Sequence, residues 1–461
     1  MYVLKAHPSP ARVMGCIALS TWPGAESHRR YFWPVTDVLL APRRASAILL
    51  SALLCAGLLP LQSQSVPIAY TAPHIGSVRL HPEGAPLGGP FLELGGEARL
   101  VLRYDDLSGD WPDHEWTLVH CTADWSAFSD LSDWDYLEGW NPAEVDNVEN
   151  SFGGAVSFAH AATPIPSRDL APSRSGNYLL IVHESGDPDA VILMRRLVVY
   201  ERLCTVDIAF RRPFDAGRVP THQRLEVEVE LPPGHRWTNP MRDIRLSVIQ
   251  NVAWPWAAHE VPATRVLGNT VSFAQHENLT FAGGDRWRSA DLKSLAYLAP
   301  GIDRISESQT GDGPLWRIRM SRDESRRFRM QSSRPDLKGA FTTHNDRFDD
   351  VNLTSDYLDV QFRLEHKNFG DVPDVYLFGA VSGWSLDPAF RMEYHAEDNE
   401  FRLDLLLKQG WYDYQYVTPD GEDISFEGSH AGTPNRYHVL VHVPAPDGTD
   451  RVVGFEALDS N

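Results

Sequence analysis

Three sets of residues in this chain have the types that chemistry requires, and spacing alone weighs each of them. His120 and Cys121, with Asp124 close behind, are metal-ligating types in one short run. Neighbours on a strand point to opposite faces, so His120 and Cys121 cannot converge on one ion. Asp105-Asp106 and the acid-rich run over 130–146 offer paired carboxylates, the groups that glycoside hydrolysis uses as acid and base. With 62 Asp and Glu in 461 residues, such pairs also arise by chance. Gly379-Ala380-Val381-Ser382-Gly383 holds its serine one place late for a nucleophile elbow and reads as a turn. Zinc-helix, phosphate-loop and calcium-loop spacings do not occur in the sequence. The expectation is a non-enzymatic protein with no cofactor and no metal.

The aromatics say more. Trp125, Trp134, Tyr136 and Trp140 stand together among carboxylates. Exposed, they would form a sugar platform or a protein hot spot; buried, they would plug a sandwich core. Spacing does not choose between these. Trp134, Tyr136 and Trp140, with Trp384 and Trp411 further along, are the candidate partner or glycan contacts.

The elements that must position them read as strands. Residues 176–201 run apolar, turn, apolar, the pattern of a hairpin. Arg195 and Arg196 interrupt its second half and suggest a wet face or an edge. Strand-like alternation over 91–107 and 115–124, with a further run at 157–162, completes about seven strands and predicts a β-sandwich over 66–203. Residues 222–231 alternate strictly and 241–254 hold another strand, which places a middle β domain at 204–340. The polar, Asp- and Asn-rich stretch 341–355 reads as a linker. Strands at 357–365, 374–378, 400–408, 412–417 and 437–443 then fill a last domain at 356–461. The fold class is all-β, with tandem immunoglobulin-like β-sandwich domains.

Composition narrows the partners. A formal net charge of −20 with no Lys/Arg-rich arm sets nucleic acid aside. Residues 45–61 form an apolar run directly after Arg43-Arg44, the layout of a secretory signal peptide over 43–65. Residues 1–42 then read as an extension of the gene model. Beyond Cys16 and Cys55, only Cys121 and Cys204 remain. They are expected as separate buried thiols, with a disulfide as the alternative in an oxidising compartment.

The ordered series FLELGGEARLVLRYDDL, TLVHCTADW, DYLEGW, SGNYLLIV and RRLVVYE resembles the plug proteins of the Bacteroidota type IX secretion system. The resemblance continues through FAGGDRWRSADLKSL, VYLFGAVSGW and LLLKQGWYDYQYV, and so spans nearly all of 70–460. It implies an exported periplasmic protein on the inner side of the outer membrane. Such a protein binds the outer-membrane type IX translocon barrel and closes its periplasmic opening when no cargo is present. The last unit is also similar to glycogen-binding modules of early-set immunoglobulin-like type, in which Trp384 matches a sugar-stacking aromatic. Gln415 stands where those modules place a lysine, and Glu422 where they place a second aromatic, with Trp411 the only nearby substitute. An envelope glycan-binding protein is accordingly the alternative function.

Overall fold

Apolar runs bounded by turn residues become strands throughout the computed structural model, which describes residues 65–460 apart from 110, 235–238, 311–312, 332, 368–371 and 422–425. The expected extension and signal peptide lie outside the described residues, apart from Ser65. Strands Gly176–Glu184 and Asp187–Tyr200 pair antiparallel across a tight turn in which Gly186 takes φ +77°. Asp187–Tyr200 is not an edge. Ala69–Thr71 and Phe91–Glu93 pair along its other side, so Arg195 and Arg196 point into packed structure rather than water.

This sheet, extended by His114–Cys121, faces a second one ordered Ile75–Pro82, Leu100–Asp106, Ala159–Ile165 and Val148–Asn150. Between them lie Leu102, Trp116, Leu118, Leu180, Val182 and Leu197, all fully buried. The strict period of two in these strands puts every second side chain into this core.

The middle sandwich departs from the sequence reading. Its first sheet runs Thr205–Arg211, His222–Glu230, Thr270–Phe273, Arg265–Leu267. Its second runs Ala258–Pro262, Arg245–Gln250, Arg436–Pro444, Asp450–Asp459. The strand expected at 437–443 in the last unit therefore pairs residue for residue with Arg245–Gln250. Tyr437, Val439 and Val441 alternate onto the core of Leu225, Val227, Leu246 and Val248, which their apolar faces complete. The sheets cross the expected boundary at 340.

The third sandwich is built from the intervening chain. Arg288–Asp291, Gly410–Val417 and Phe341–Thr343 form one layer, with Tyr376–Phe378 also on Gly410–Val417. The other is ordered Ile302–Thr310, Gly313–Met320, Tyr357–Glu365, Glu400–Lys408, Glu393–His395. Residues 341–355 are not a solvated linker. Phe341 is buried and stacks on Tyr412 with ring centroids 4.8 Å apart. The Asn345 amide donates to Thr354 Oγ1 (3.1 Å) and Ser355 Oγ (3.0 Å), so the polar residues close an internal turn.

Two seams join these layers. Between the first and third sandwiches, Asp105 accepts from Lys408 Nζ (2.7 Å), Tyr357 Oη (2.7 Å) and His160 Nδ1 (2.6 Å). Lys408 Nζ also sits 3.9 Å from the Phe158 ring centroid. Burial disfavours the charge of Asp105, yet His160 and Lys408 outweigh it and hold the carboxyl below its ordinary range. Between the first and middle sandwiches, Phe91 stacks on His438 (4.5 Å) and Phe455 (4.9 Å), and Tyr200 stacks on Phe455 (4.4 Å). Glu201 N–H and Leu203 N–H donate to the carbonyls of Val452 (2.9 Å) and Val453 (2.8 Å).

Candidate functional site

Residues 130–141 form a short loop off the first sandwich, and its backbone is tightly specified. Ser132 caps a single turn, Asp133–Asp135, with its own N–H donating to Asp135 Oδ2 (2.9 Å). The Asp133 carboxylate accepts from Tyr136 Oη (3.0 Å) and from Asn141 Nδ2 (2.9 Å). Strand Leu137–Gly139 pairs with Leu170–Pro172, and Trp140 N–H donates to the Asp169 carbonyl (2.6 Å). Gly139 is required here: at φ +106° a Cβ would lie 1.9 Å from the Asp169 carbonyl oxygen.

This frame divides the four aromatics that the sequence grouped together. Trp125 and Tyr136 are buried, and Tyr136 packs on His120 and Tyr178 as part of the core. Trp134 and Trp140 are 83% and 80% exposed. Asp130, Asp135 and Glu138 around them are exposed as well. Two large apolar rings on a fixed loop, ringed by carboxylates, have the form of a binding hot spot with an anionic rim. Tyr136 is buried beneath that display.

Trp384 and Trp411 lie elsewhere. Trp384, at φ +59°, packs edge-on against Trp287 (5.7 Å) and Phe378 (5.9 Å) and is half-buried. Trp411 is half-buried, donates its indole N–H to Asp413 Oδ1 (3.1 Å) and lies under the Lys293 ammonium. Gln415 donates to the Asp285 carbonyl (3.0 Å), and Glu422 lies outside the described residues. These groups do not gather into one face with Trp134 and Trp140.

The residues with catalytic types are used structurally. Asp105 and Asp106 project to opposite sides of their strand: Asp105 into the seam, Asp106 toward Ser108 N–H (2.7 Å) and His114. Burial drives the His120 imidazole down to about 4, so it is neutral at pH 7, and pushes the Cys121 thiol up to about 12. Cys204 is likewise raised to about 12 by burial, and both thiols are free. Among the described residues, no three His, Cys, Asp or Glu are grouped to hold a metal ion, and no helix is long and apolar enough to cross a membrane.

Sequence reading missed a second exposed pair, Phe328 and Met330, at 92% and 93% exposure. They alternate with Arg327 and Arg329, a pattern that could have flagged a solvent-facing apolar stripe. It also missed the Asp105–Lys408 seam, since a lysine among leucines on a strand looks like any exposed position.

Residues 75–201 match the family described as the type 9 secretion system plug protein first domain. No curated protein matches the chain. Among solved structures, a hypothetical protein from Parabacteroides merdae superposes with a TM-score of 0.80 at 24% identity. The match covers 86% of this chain and 100% of the other, and shows a shared fold. The matched residues are the first sandwich itself, from the strand Ile75–Pro82 to the end of Asp187–Tyr200, including the loop that carries Trp134 and Trp140; over this region the chain matches the first domain of the type 9 secretion system plug proteins.

Proposed function

We propose that this protein is a periplasmic, non-enzymatic accessory of type IX secretion. In this reading it binds the outer-membrane translocon barrel and plugs its periplasmic opening when no cargo occupies it. The observation that carries the reading is the match of 75–201 to the plug family. A plug needs a stiff body and a complementary surface rather than a reaction centre. Stiffness is supported by the buried Asp105–Lys408 seam and the Phe91–His438–Phe455 stack. The contact surface is assigned to Trp134 and Trp140. Their acidic surroundings suit a partner rim with apolar pockets between Lys or Arg residues.

Affinity purification of the C-terminally tagged protein from envelopes in mild detergent tests this. A very large outer-membrane barrel is expected in near-equal amount, and a Trp134→Ala/Trp140→Ala variant should lose it. Recovery of the chain alone, under conditions that preserve other envelope complexes, would overturn the plug reading. The same two exposed indoles support one second reading, an envelope glycan-binding protein. Retention on immobilised α-glucan, abolished in that variant, would favour it.

A further inference from the structure

Where the three sandwiches meet there is a cavity of about 320 Å³, and its walls carry mainly positive charge. Arg79, Arg195 and Arg196 line it, in a protein whose formal net charge is −20. None of the three has a carboxylate within ion-pair distance among the described residues. Arg195 donates only to the carbonyls of Tyr70 and Met194 (both 2.8 Å) and to Thr71 Oγ1 (2.9 Å). Arg196, 7% exposed, donates to the carbonyls of Val66 and Pro67 and lies over the Trp125 ring at 4.4 Å. Arg79 has its Nε buried with no hydrogen-bond partner, and its guanidinium lies 5.7 Å from the Phe341 ring centroid.

Burial lowers Arg195 and Arg196 to about 10 and lowers Arg79 as well, with Arg103 adding to the effect on Arg79. Asp387 acts on Arg195, and Asp105 on Arg79, too weakly to reverse this. Other cations of the wall are matched: Lys338 and Arg436 both bind Asp459 at 2.7 Å. The one lining carboxylate, Asp336, is occupied by Trp287 N–H (2.9 Å) and faces Arg286 at 3.7 Å. His81, also a lining residue and 6% exposed, keeps its Nε2 buried without a partner while Nδ1 donates to the Pro82 carbonyl (2.9 Å).

Elsewhere in the same chain buried guanidiniums are neutralised. Arg288 is bracketed by Glu427 (2.8 Å) and Asp323 (2.8 Å), which raise its pKa although burial opposes them. Three cations left uncompensated around one hollow are the exception. Buried charge without a counterion is costly and marks a site that another charge completes.

We propose that this cavity is a binding site for a small oxyanion, a phosphate, sulfate or carboxylate, carried on an apolar body. The guanidiniums of Arg79 and Arg195 would hold the anion, and Arg196, whose guanidinium turns to the other face of its strand, adds positive charge behind the wall. Val78, Trp254, Phe341 and Trp384 supply an apolar wall for the remainder, and the volume lies at the lower end of the range for small-ligand sites. Leu87, 45% exposed, stands at the rim and leaves a way in.

Calorimetric titration of the purified protein in chloride-poor, phosphate-free buffer tests the site with three probes: phenyl phosphate, inorganic phosphate and phenol. Phenyl phosphate is expected to saturate one site at or below roughly 1 mM, ahead of inorganic phosphate, with phenol silent. Arg79→Met should weaken phenyl phosphate at least about tenfold, while melting at or above the parent temperature in anion-free buffer because no counter-charge is lost. Ala340→Phe, which narrows the cavity without touching a charge, should also abolish binding and serves if Arg79→Met does not fold. Absence of saturable binding by the parent protein would overturn the proposal. So would phenol binding as well as phenyl phosphate, unchanged binding in either variant, or a lower melting temperature of folded Arg79→Met in anion-free buffer.

Discussion

At the first seam and on the 130–141 loop, the usual rule of burial is inverted in opposite directions. Lys408 and Asp105, charged groups that ordinarily face water, are 1% and 0% exposed as side chains. Trp134 and Trp140, which ordinarily bury, stand 83% and 80% exposed. The physical treatment of the two differs. The buried pair is fully matched, with Asp105 taking hydrogen bonds from three partners. The exposed pair packs against little among the described residues, although its loop is held by the Asp133 carboxylate and the Asp169 carbonyl. A satisfied polar group inside specifies how two layers sit together; an exposed apolar group on a frame too tight to fold it away is the surface that the proposed function assigns to a partner.

Protons should produce the largest break between the two regions. His438 in the aromatic seam and His442 beside it are held neutral down to about 3 by burial, and His120 beneath the loop to about 4. Because these folded pKa values lie below the unfolded one, the unfolded chain binds protons first. Stability is full above about 6.5 and falls as pH drops toward 4. Each imidazole should remove about 2 kcal/mol between pH 7 and pH 5. The lowered carboxyl of Asp105 contributes a separate loss that begins only below about 4, its ordinary range. Guanidinium midpoints measured from pH 7 down to 4 check this, with the first drop assigned to histidine if it begins near 6.5.

Breaking the seam directly ranks next. Lys408→Ala leaves Asp105 in an apolar setting with its main counter-charge gone, and should cost about 3–5 kcal/mol in chemical denaturation. Loss under about 1 kcal/mol would mean water reaches the carboxylate and the seam is not sealed.

The exposed pair should respond in the opposite sense. Trp134→Ala and Trp140→Ala remove no packing, so their stability should stay within about 0.5 kcal/mol of the parent. Binding to the proposed translocon partner, measured on the purified complex, should weaken by about 2 kcal/mol for each. Gly139→Ala gives an independent check. It leaves both indoles in place but forces the backbone away from Asp169, so it should lower affinity while the rest of the first sandwich keeps its fold.

Strand content and the first sandwich were legible because period-two alternation is local: His222–Glu230 and Gly176–Glu184 announce themselves in ten residues. Membership of Arg436–Pro444 in the middle sheet was not legible, since pairing with Arg245–Gln250 is set by a match of faces across nearly two hundred residues. A polar stretch such as 341–355 was misread because Asp and Asn mark internal turns and solvated linkers alike. The Trp134–Trp140 segment shows the limit most plainly. One tyrosine and two tryptophans within seven positions divide between core and solvent according to a cap and two side-chain hydrogen bonds that no composition reveals.

The smallest expected effect bears on why the seam is polar at all. Replacing both charges together, Asp105→Leu with Lys408→Met, removes the Coulomb attraction and the desolvation penalty at once, at the cost of the His160 Nδ1 hydrogen bond to Asp105 (2.6 Å). Tyr357 Oη keeps Ser77 Oγ at 3.1 Å, so its hydroxyl is not orphaned. The double variant should therefore lie within about 1 kcal/mol of the parent, far above Lys408→Ala. If it does, the ion pair adds little net stability, and its role is to fix the angle between the first and third sandwiches. That role is separately measurable: by small-angle scattering, the double variant should sample a broader spread of shapes than the parent at equal stability. An unchanged scattering profile would assign the angle instead to the Phe158–Tyr357 edge contact and the aromatic seam.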